Sequence, residues 1–320
     1  MPVPLPFEYR VGADENGLGA RLGPLVVTAV LARVDDRGRR TLSRKLPRAI
    51  RADLDDSKRL MSHTDVALGE AWARALIRAP VKSPGELFER LSLEGSGKLK
   101  KRCESHVAGQ CWNERGEVFL AEAADVLRVT KHREALAERG VELLSVRSSV
   151  VCTKNLNDAK QRGTNRFVAD LNAMEALVLE LRAQAGGEIE AVCGKVGGIA
   201  EYSKFFGPLS GRLHAILGEG RARSGYRFPG LGELHFVRDA DAADPLVSLA
   251  SLVGKYVREL FMSRIGLHYS DAESQEKRPS GYHDPVTAGF VVRSALLRQS
   301  RKIPDHCFER ERAGDVLEGV

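Results

Sequence analysis

The sequence has few aromatic residues and few cysteines, and each shortage makes one class of protein improbable. Aromatic side chains make up only 6% of the 320 residues, so few rings are available to stack on bases or sugars. The five cysteines, an odd number scattered along a long chain, do not make a disulfide framework and suit a reducing cytoplasm. Cys103, His106 and Cys111 lie close together in the sequence, but their spacing fits no standard zinc pattern.

Long hydrophobic runs are missing as well. The longest apolar stretch, around residues 25–32, is far shorter than the roughly 20 residues that a membrane-spanning helix needs. The first six residues lack the charged and then apolar pattern of a secretion signal. We therefore expect a cytoplasmic protein, monomeric and without a membrane partner.

The composition is that of a folded, basic protein. Hydrophobic residues make up 43% of the chain and charged residues 29%, so a buried core is feasible. Lysine and arginine outnumber aspartate and glutamate by 49 to 43, which gives a net charge of +6. Ten of these basic residues fall between Arg33 and Arg59, and a second basic run covers residues 98–102. Basic stretches of this kind fit a polyanionic partner such as nucleic acid.

Hydrophobic periodicity predicts strands alternating with helices, and so a mixed α/β fold. The predicted strands are a pair within residues 8–34, then 141–152, 188–196 and 233–237. The predicted helices are 67–78, capped by Ser62 or Thr64, then 118–139, 164–183 and 245–265, the last capped by Asp244. The glycine-rich residues before Gly232 are expected to be a loop, and the chain after Thr287 to be helical and then irregular.

Asp14 and Glu15 are the first candidates for chemistry. They come at the end of a predicted strand, where a twist of the backbone can bring both carboxylates into one cavity. Such a pair offers the hard oxygen ligands that Mg²⁺ and Mn²⁺ prefer. An ordinary solvated turn explains the same two residues. The glycines that follow, at positions 17, 19 and 23, do not have the spacing of a dinucleotide-binding loop.

Three later positions have a functional and an ordinary interpretation. Asp241 is either a metal ligand from a second strand or one acid of a loop that precedes a helix. Glu259 lies four residues after Lys255, a spacing typical of an ion pair on a helix face. Tyr282 lies in a turn, where it is either a surface residue or a ring that stacks on a sugar or base.

Four segments, in the same order along the chain, resemble the motifs of the ribonuclease HII family. They are residues 12–19 with 22–26 (GADENGLG and LGPLV), residues 56–58 (DSK), residues 240–242 (ADA) with the helix that runs through Glu259, and residues 280–287 (SGYHDPVT). The resemblance covers roughly residues 8–78 and 145–292, and each motif alone is modest. Residues 84–140, between these parts, look like a helical insertion.

The resemblance implies an RNase H-like fold, with a mixed central sheet flanked by helices and a C-terminal helical part. It implies one domain over residues 1–292, including the insertion, and a helical tail over 293–320. Members of this family cut the RNA strand of RNA–DNA hybrids, or ribonucleotides embedded in DNA, with four carboxylates and a divalent metal, here Mg²⁺ or Mn²⁺. By this resemblance, Asp14 and Glu15 are the first two catalytic metal ligands, and Asp241 is the fourth. Glu259 matches a family residue that is not a ligand.

The resemblance also implies a set of nucleic-acid contacts. Lys58 would neutralise a backbone phosphate near the site. The backbone at Gly17 and Gly19, together with Tyr282, would recognise the ribose through its 2′-hydroxyl. The family has an arginine between the two glycines where this chain has leucine, and Arg21 is the candidate to replace it.

The third carboxylate of the family has no counterpart in the sequence. The preferred register places Gly194 at that position, and a slip of one residue places Cys193 there. Glu190 or Asp170 could substitute from a neighbouring position. Three hypotheses follow: a ribonuclease HII-type endonuclease, a catalytically impaired homologue that binds hybrid or junction nucleic acid, or an unrelated metal-dependent α/β enzyme.

Overall fold

The computed structural model describes residues 7–196, 199–269 and 277–311. The strands are β1 (Tyr9–Asn16), β2 (Leu25–Val34), β3 (Val141–Val151), β4 (Ile189–Gly194), β5 (Ala215–Glu219), β6 (Arg223–Phe228) and β7 (Gly232–Val237). The helices are α1 (Asp36–Leu42), α2 (Arg48–Arg51), α3 (Ser57–Leu60), α4 (Ala67–Ile77), α5 (Pro84–Leu91), α6 (Ser96–Lys100), α7 (Ser105–Trp112), α8 (Ala123–Glu138), α9 (Thr153–Gln161), α10 (Arg166–Gln184), α11 (Ala240–Ala243), α12 (Pro245–Tyr269), α13 (Pro285–Arg293), α14 (Ala295–Ser300) and α15 (Asp305–Phe308).

All seven strands form one mixed sheet in the order β3-β2-β1-β4-β7-β6-β5. Strands β1, β2 and β3 pair antiparallel, and β1, β4 and β7 pair parallel. The β5–β6 hairpin extends the sheet antiparallel beyond β7. Because β1, β4 and β7 run in the same direction, their carboxyl ends meet at one edge of the sheet, where parallel sheets commonly bind ligands.

Helices cover both faces of the sheet, so that the central strands are buried on both sides. Helix α12 packs against β1 and β2 on one face, and α10 packs on the other. The contact with α12 is close: a Cβ atom at Gly12 would lie 2.4 Å from the carbonyl carbon of Leu246. Glycine at this position lets the first turn of α12 lie directly on β1. These layers confirm the expected α/β class with a mixed sheet flanked by helices.

The strand–helix alternation expected from the sequence is present, with two corrections. The glycine-rich residues before Gly232 contain β5 and β6, which were expected to be loop. Gly225 interrupts the apolar pattern of β6 because the His235 ring lies where its side chain would be, with Nδ1 2.7 Å from the Cβ position. The expected cap of α4 by Ser62 or Thr64 is wrong: the cap position is Val66, and the Ser62 hydroxyl accepts backbone N–H bonds within the preceding turn.

The Asp244 cap of α12 is as expected. The Asp244 carboxylate accepts hydrogen bonds from the backbone N–H groups of Leu246 and Val247, at 2.8 and 3.3 Å. This cap fixes the start of the longest helix directly after the segment that carries Asp241. Asp244 therefore helps to fix the position of the segment that carries Asp241.

Residues 84–138 contain four helices, α5 to α8, joined by short non-helical segments, in keeping with the helical pattern expected there. Beyond α12, α13 to α15 form a helical C-terminal part, and the end of the expected tail, residues 312–320, lies outside the described residues. The division into a domain and a tail stays a prediction. No helix within the described ranges is long and apolar enough to cross a membrane. All five cysteines are described, and each is unpaired.

Candidate active site

A cleft of about 570 Å³ opens at the edge where β1, β4 and β7 end. It gathers residues from every segment that carries the family resemblance. Its lining includes seven of the predicted site residues: Asp14, Glu15, Gly17, Gly19, Lys58, Asp241 and Tyr282. Arg21 is the exception, since it lies outside the lining and its Nε donates to Glu309 Oε1 at 2.6 Å. Arg21 is thus engaged elsewhere than at the position that the missing family arginine would take.

Asp14 and Glu15 lie near the end of strand β1 and not in a solvated turn. Strand alternation directs Asp14, like Gly12, toward α12, and directs Glu15 toward the face that α10 covers. Asp14 accepts a hydrogen bond from the Ser251 hydroxyl of α12. Burial raises the pKa of Asp14 well above its usual range, and the neighbouring Glu15 charge adds to this. Burial and the charge of Asp170 raise the pKa of Glu15 to about 8.

Gly194 ends β4 directly beside these carboxylates. A Cβ atom at Gly194 would lie 2.8 Å from Asp14 Oδ1 and 3.3 Å from Glu15 Oε2. Cys193 points the opposite way, into the core beneath α10, where it is fully buried. Of the two residues considered for the third position, Gly194 lies beside the carboxylates and Cys193 does not. No side chain from β4 supplies an oxygen at that point.

Asp241 and Lys58 approach the same cleft from two short helices. Asp241 belongs to α11, which follows β7, and its Oδ2 lies 3.6 Å from Lys58 Nζ. The Asp241 charge raises the pKa of Lys58. Asp56 caps α3 by accepting from the Lys58 backbone N–H at 2.9 Å, and the buried Ser57 and Ser251 hydroxyls are 2.9 Å apart. The Asp-Ser-Lys segment is thus attached to the same α12 residue that binds Asp14.

The loop after β1 rests on a buried arginine that the sequence analysis did not identify. Gly17 has a φ of +88°, and a Cβ there would lie 2.5 Å from Arg258 Nε. The Arg258 guanidinium lies 4.6 Å from the centre of the Tyr282 ring and donates to Ser280 O at 3.0 Å. Arg258 therefore connects the glycine loop to the turn that carries Tyr282. Its position in the matched helix segment was visible, but not which loops it would contact.

The expected Lys255–Glu259 ion pair is not what the helix forms. The buried Glu259 carboxylate accepts from Arg258, its sequence neighbour. Lys255 Nζ instead donates to the carbonyl oxygens of Met61 at 2.6 Å and Ser57 at 3.3 Å. Burial explains this outcome. The buried Arg258 guanidinium requires a carboxylate partner, whereas the Lys255 ammonium is already bonded to backbone carbonyls.

A second arginine, Arg310, holds the glycine loop from the other side. Arg310 is buried and donates to Gly17 O at 2.6 Å and to Gly23 O at 2.8 Å. These bonds satisfy carbonyl groups of a loop that would otherwise be free to move. Nothing in the spacing of the sequence pointed to Arg310, which lies 293 residues from Gly17.

The two acids considered as substitutes for the missing carboxylate have different surroundings. Glu190 lies near the start of β4 and pairs with Arg10 at 3.4 Å, away from the cleft lining. Asp170, on α10, is fully buried, and neither of its carboxylate oxygens has a hydrogen-bond partner among the described residues. Its charge acts on Glu15, so it lies beneath the acidic end of the cleft. Asp170 backs the site without lining it.

The acidic residues carry the oxygen ligands that a hard divalent cation prefers, but among the described residues too few of them surround any one point to hold it. Asp14, Glu15 and Asp241 offer carboxylate oxygens to one cleft, and their mutual repulsion, seen in the raised pKa values of Asp14 and Glu15, would be relieved by a cation. Within the described part of the chain, however, no three His, Cys, Asp or Glu side chains are arranged to hold one metal ion. The two cysteines and the histidine of residues 103–111 form no such group among the described residues either.

The buried acids predict that the fold is less stable at alkaline pH. An acid whose pKa is raised by folding stabilises the fold while it is protonated, and this stability is lost as pH rises through the folded pKa. For Glu15 the loss falls between its ordinary value of 4.5 and about 8. We expect Asp170→Asn to reduce the fall in Tm between pH 5 and pH 8.5, in EDTA, by about 2–4 °C.

Glu180→Gln is the matched control for this experiment, because Glu180 lies on the same helix but binds the exposed Gln184 amide. Its pH profile of Tm should follow that of the parent. An Asp170→Asn profile with the same slope as the parent would show that Asp170 does not titrate against the site.

Metal binding is expected to show the opposite pH dependence. A cation must displace the protons held by Asp14 and Glu15, so it competes with them at low pH. We expect millimolar Mn²⁺ to raise the Tm more at pH 8 than at pH 6, and Asp14→Asn to abolish most of that gain. An equal gain in the parent and in Asp14→Asn would place the cation elsewhere.

Comparison with known proteins gives only distant structural likenesses. No family profile and no curated protein matches the sequence. Solved structures of ribonucleases of the H2, HII and HIII types resemble it in overall outline. One is RNase HII of Archaeoglobus fulgidus, in a complex with PCNA, with 16% identity, 97% of this chain and 98% of that chain covered, and a TM-score of 0.45.

Two further structures show a similar degree of likeness. Bst-RNase HIII in complex with Mn²⁺ is 12% identical, with 96% of this chain and 67% of that chain covered and a TM-score of 0.46. Ribonuclease H2 of Pyrococcus horikoshii OT3 is 15% identical, with 94% and 92% covered and a TM-score of 0.45. At these identities the function has to be argued from the residues of this chain.

Proposed function

We propose that the protein is a divalent-metal-dependent endonuclease of the ribonuclease HII type. Its substrate would be an RNA–DNA hybrid or a DNA duplex that contains ribonucleotides, and its metal Mg²⁺ or Mn²⁺. The observation that carries the proposal is convergence: four segments that are far apart in the sequence resemble one family's motifs, and all four line a single cleft. A chance match of short motifs would not be expected to bring them together.

The residues of the cleft suit phosphodiester hydrolysis. Asp14, Glu15 and Asp241 are the cleft carboxylates that would hold the cation once their side chains gather around it, and in such sites a cation activates water and stabilises the leaving oxygen. Lys58 has an exposed ammonium 3.6 Å from Asp241, so it can neutralise a phosphate at the acidic end of the cleft. Its capped helix keeps it there before substrate arrives.

Recognition of the ribose falls to the glycine loop and to Tyr282. Gly19 has no atom within 4 Å of where its side chain would be, so a sugar can approach the backbone closely. The Tyr282 ring is 43% exposed at the cleft and supported from behind by Arg258, which leaves its outer face available for a sugar. A backbone donor or acceptor near the 2′-hydroxyl would distinguish RNA from DNA.

The second candidate function is a catalytically impaired homologue that binds hybrid or junction nucleic acid. Gly194 favours it, since the strand that should supply the third carboxylate supplies none. The cytoplasmic location and the monomeric state stay predictions under either function.

One assay separates the two functions. Purified protein is incubated with Mg²⁺ or Mn²⁺ and three duplexes: all-DNA, RNA–DNA hybrid, and DNA with one ribonucleotide. Cleavage of the last two but not the first, on the 5′ side of the ribonucleotide, supports the endonuclease. Salt-sensitive binding without cleavage under both metals supports the impaired homologue.

A further inference from the structure

The tip of the β5–β6 hairpin carries exposed cations beside the cleft. Arg221, in the turn, and Arg223, at the start of β6, are both exposed, as are all five residues of β5. The tip is fixed to the end of the sheet, because the Arg238 backbone N–H donates to Ala222 O at 2.9 Å. This hairpin adds no residue to the carboxylate cluster, and none of the resembling motifs includes it.

The sheet register places Arg223 in line with the acidic residues. Arg223 is opposite Val237 of β7, and Val237 is opposite Gly194 of β4. The parallel pairing of β1 and β4 brings Asp14 next to Gly194. Residues opposite one another on neighbouring strands point to the same face of a sheet. Asp14 and Arg223 therefore lie on one face and in one row, separated by three strand spacings.

This row of paired residues gives the distance between the backbones at Asp14 and Arg223. Three spacings of about 4.8 Å separate the backbones of β1 and β6 by about 14 Å. A duplex rises about 3.4 Å per base pair, so 14 Å corresponds to about four base pairs. We propose that Arg221 and Arg223 bind backbone phosphates of a nucleic-acid duplex about four base pairs from the bond at the carboxylates; the inference rests on the proposed function for the position of that bond.

The charges around the tip favour a phosphate partner. Arg221 and Arg223 have no ion-pair partner among the residues that the structure describes. Of the nearby acids, Glu219 accepts from the Tyr226 hydroxyl, and Asp239 lies 3.6 Å from Arg238. Lys195, whose Nζ donates to Ser224 Oγ at 2.8 Å, adds positive charge between the tip and the cleft. Guanidinium groups without partners suit the forked geometry of phosphate oxygens.

The test measures duplex binding in EDTA, which prevents metal-dependent cleavage. The probe is a DNA duplex with one ribonucleotide and about ten base pairs on each side, and its affinity is followed by fluorescence anisotropy at several salt concentrations. We expect Arg221→Ala/Arg223→Ala to weaken binding about tenfold and to reduce the slope of log K against log salt by about 2. The Tm of this variant should equal that of the parent, since both side chains are exposed.

Shortened duplexes test the distance. When one flank is cut to about two base pairs, the parent should lose as much affinity as the double variant lost on the full duplex. The double variant should lose nothing further from this cut. Shortening the opposite flank should affect both proteins equally. This pattern would place Arg221 and Arg223 on one side of the ribonucleotide.

The matched control is Lys131→Ala/Arg139→Ala, which removes two exposed cations from α8 and its C-cap, beside β3 at the opposite edge of the sheet and outside the two basic runs. Equal losses in the two double variants, or no loss in Arg221→Ala/Arg223→Ala, would overturn the proposal and leave a protein partner as the better explanation of the tip. Parallel reactions with Mn²⁺ test the nuclease separately. If the protein binds the duplex through Arg221 and Arg223 but cleaves no substrate, this inference is supported and the proposed endonuclease activity is contradicted.

Discussion

Asp14→Asn should reduce cleavage of a ribonucleotide-containing duplex by about a thousandfold or more, in either metal. Asp14 is 8% exposed and sits where strand β1, helix α12 and Gly194 meet. Asparagine keeps its size and can still bond to Ser251, but it removes the charge of one of the three carboxylates that we propose as metal ligands. With no carboxylate from β4 to compensate, the loss should be greater than in a site with four acids.

The measurement is the single-turnover rate of cleavage with saturating protein, so that weaker substrate binding does not hide the effect. Asp239→Asn is the control, because Asp239 lines the same cleft with a side chain that is 83% exposed and, among the described residues, forms an ion pair with Arg238 alone. We expect that control to retain its rate within about threefold. Substantial cleavage by Asp14→Asn would mean that this residue is not a metal ligand.

Gly194→Asp should increase the affinity for Mn²⁺ and the rate of cleavage by about tenfold or more. The new carboxylate would leave β4 at the point where the family carries its third acid. The Cβ atom would be only 2.8 Å from Asp14 Oδ1, but that oxygen is the end of a side chain and can move. In the absence of metal the added charge should lower the Tm, and Mn²⁺ should restore it.

Gly194→Asn separates charge from size in this experiment. It occupies the same space as aspartate without the negative charge, so it should bring the same crowding and no gain. If Gly194→Asp folds, binds duplex and gains no more than Gly194→Asn, then the missing strand carboxylate does not limit this site. If the parent is inactive and Gly194→Asp cleaves, the natural protein is the impaired homologue.

Local patterns in the sequence were enough to predict the elements that surround the site. Asp14 lies near a strand end because the glycine loop that begins at Gly17 follows directly, and Asp244 caps a helix because it precedes Pro245. Both features depend on residues within a few positions of each other. The same is true of the helices, whose apolar stripes recur at a fixed spacing.

The parts that were missed depend on contacts between distant segments. Glu259 has Lys255 at the right helical spacing, yet it bonds to Arg258, because Arg258 is buried under loops from two other parts of the chain. The β6 strand was not recognised, because Gly225 makes room for a ring from the neighbouring strand. The position of Gly194 against Asp14 depended on strand register, which a single sequence leaves open by one residue.

The bonds from Arg310 to the carbonyl oxygens of Gly17 and Gly23 determine when the cleft can assemble as the protein is synthesised. A ribosome makes the glycine loop 293 residues before it makes Arg310. Until that arginine leaves the exit tunnel, the Gly17 carbonyl oxygen lacks the hydrogen bond that Arg310 donates to it. A nascent chain thus carries Asp14 and Glu15 long before it can hold that loop in its final shape, which delays the assembled cleft until Arg310 has been made.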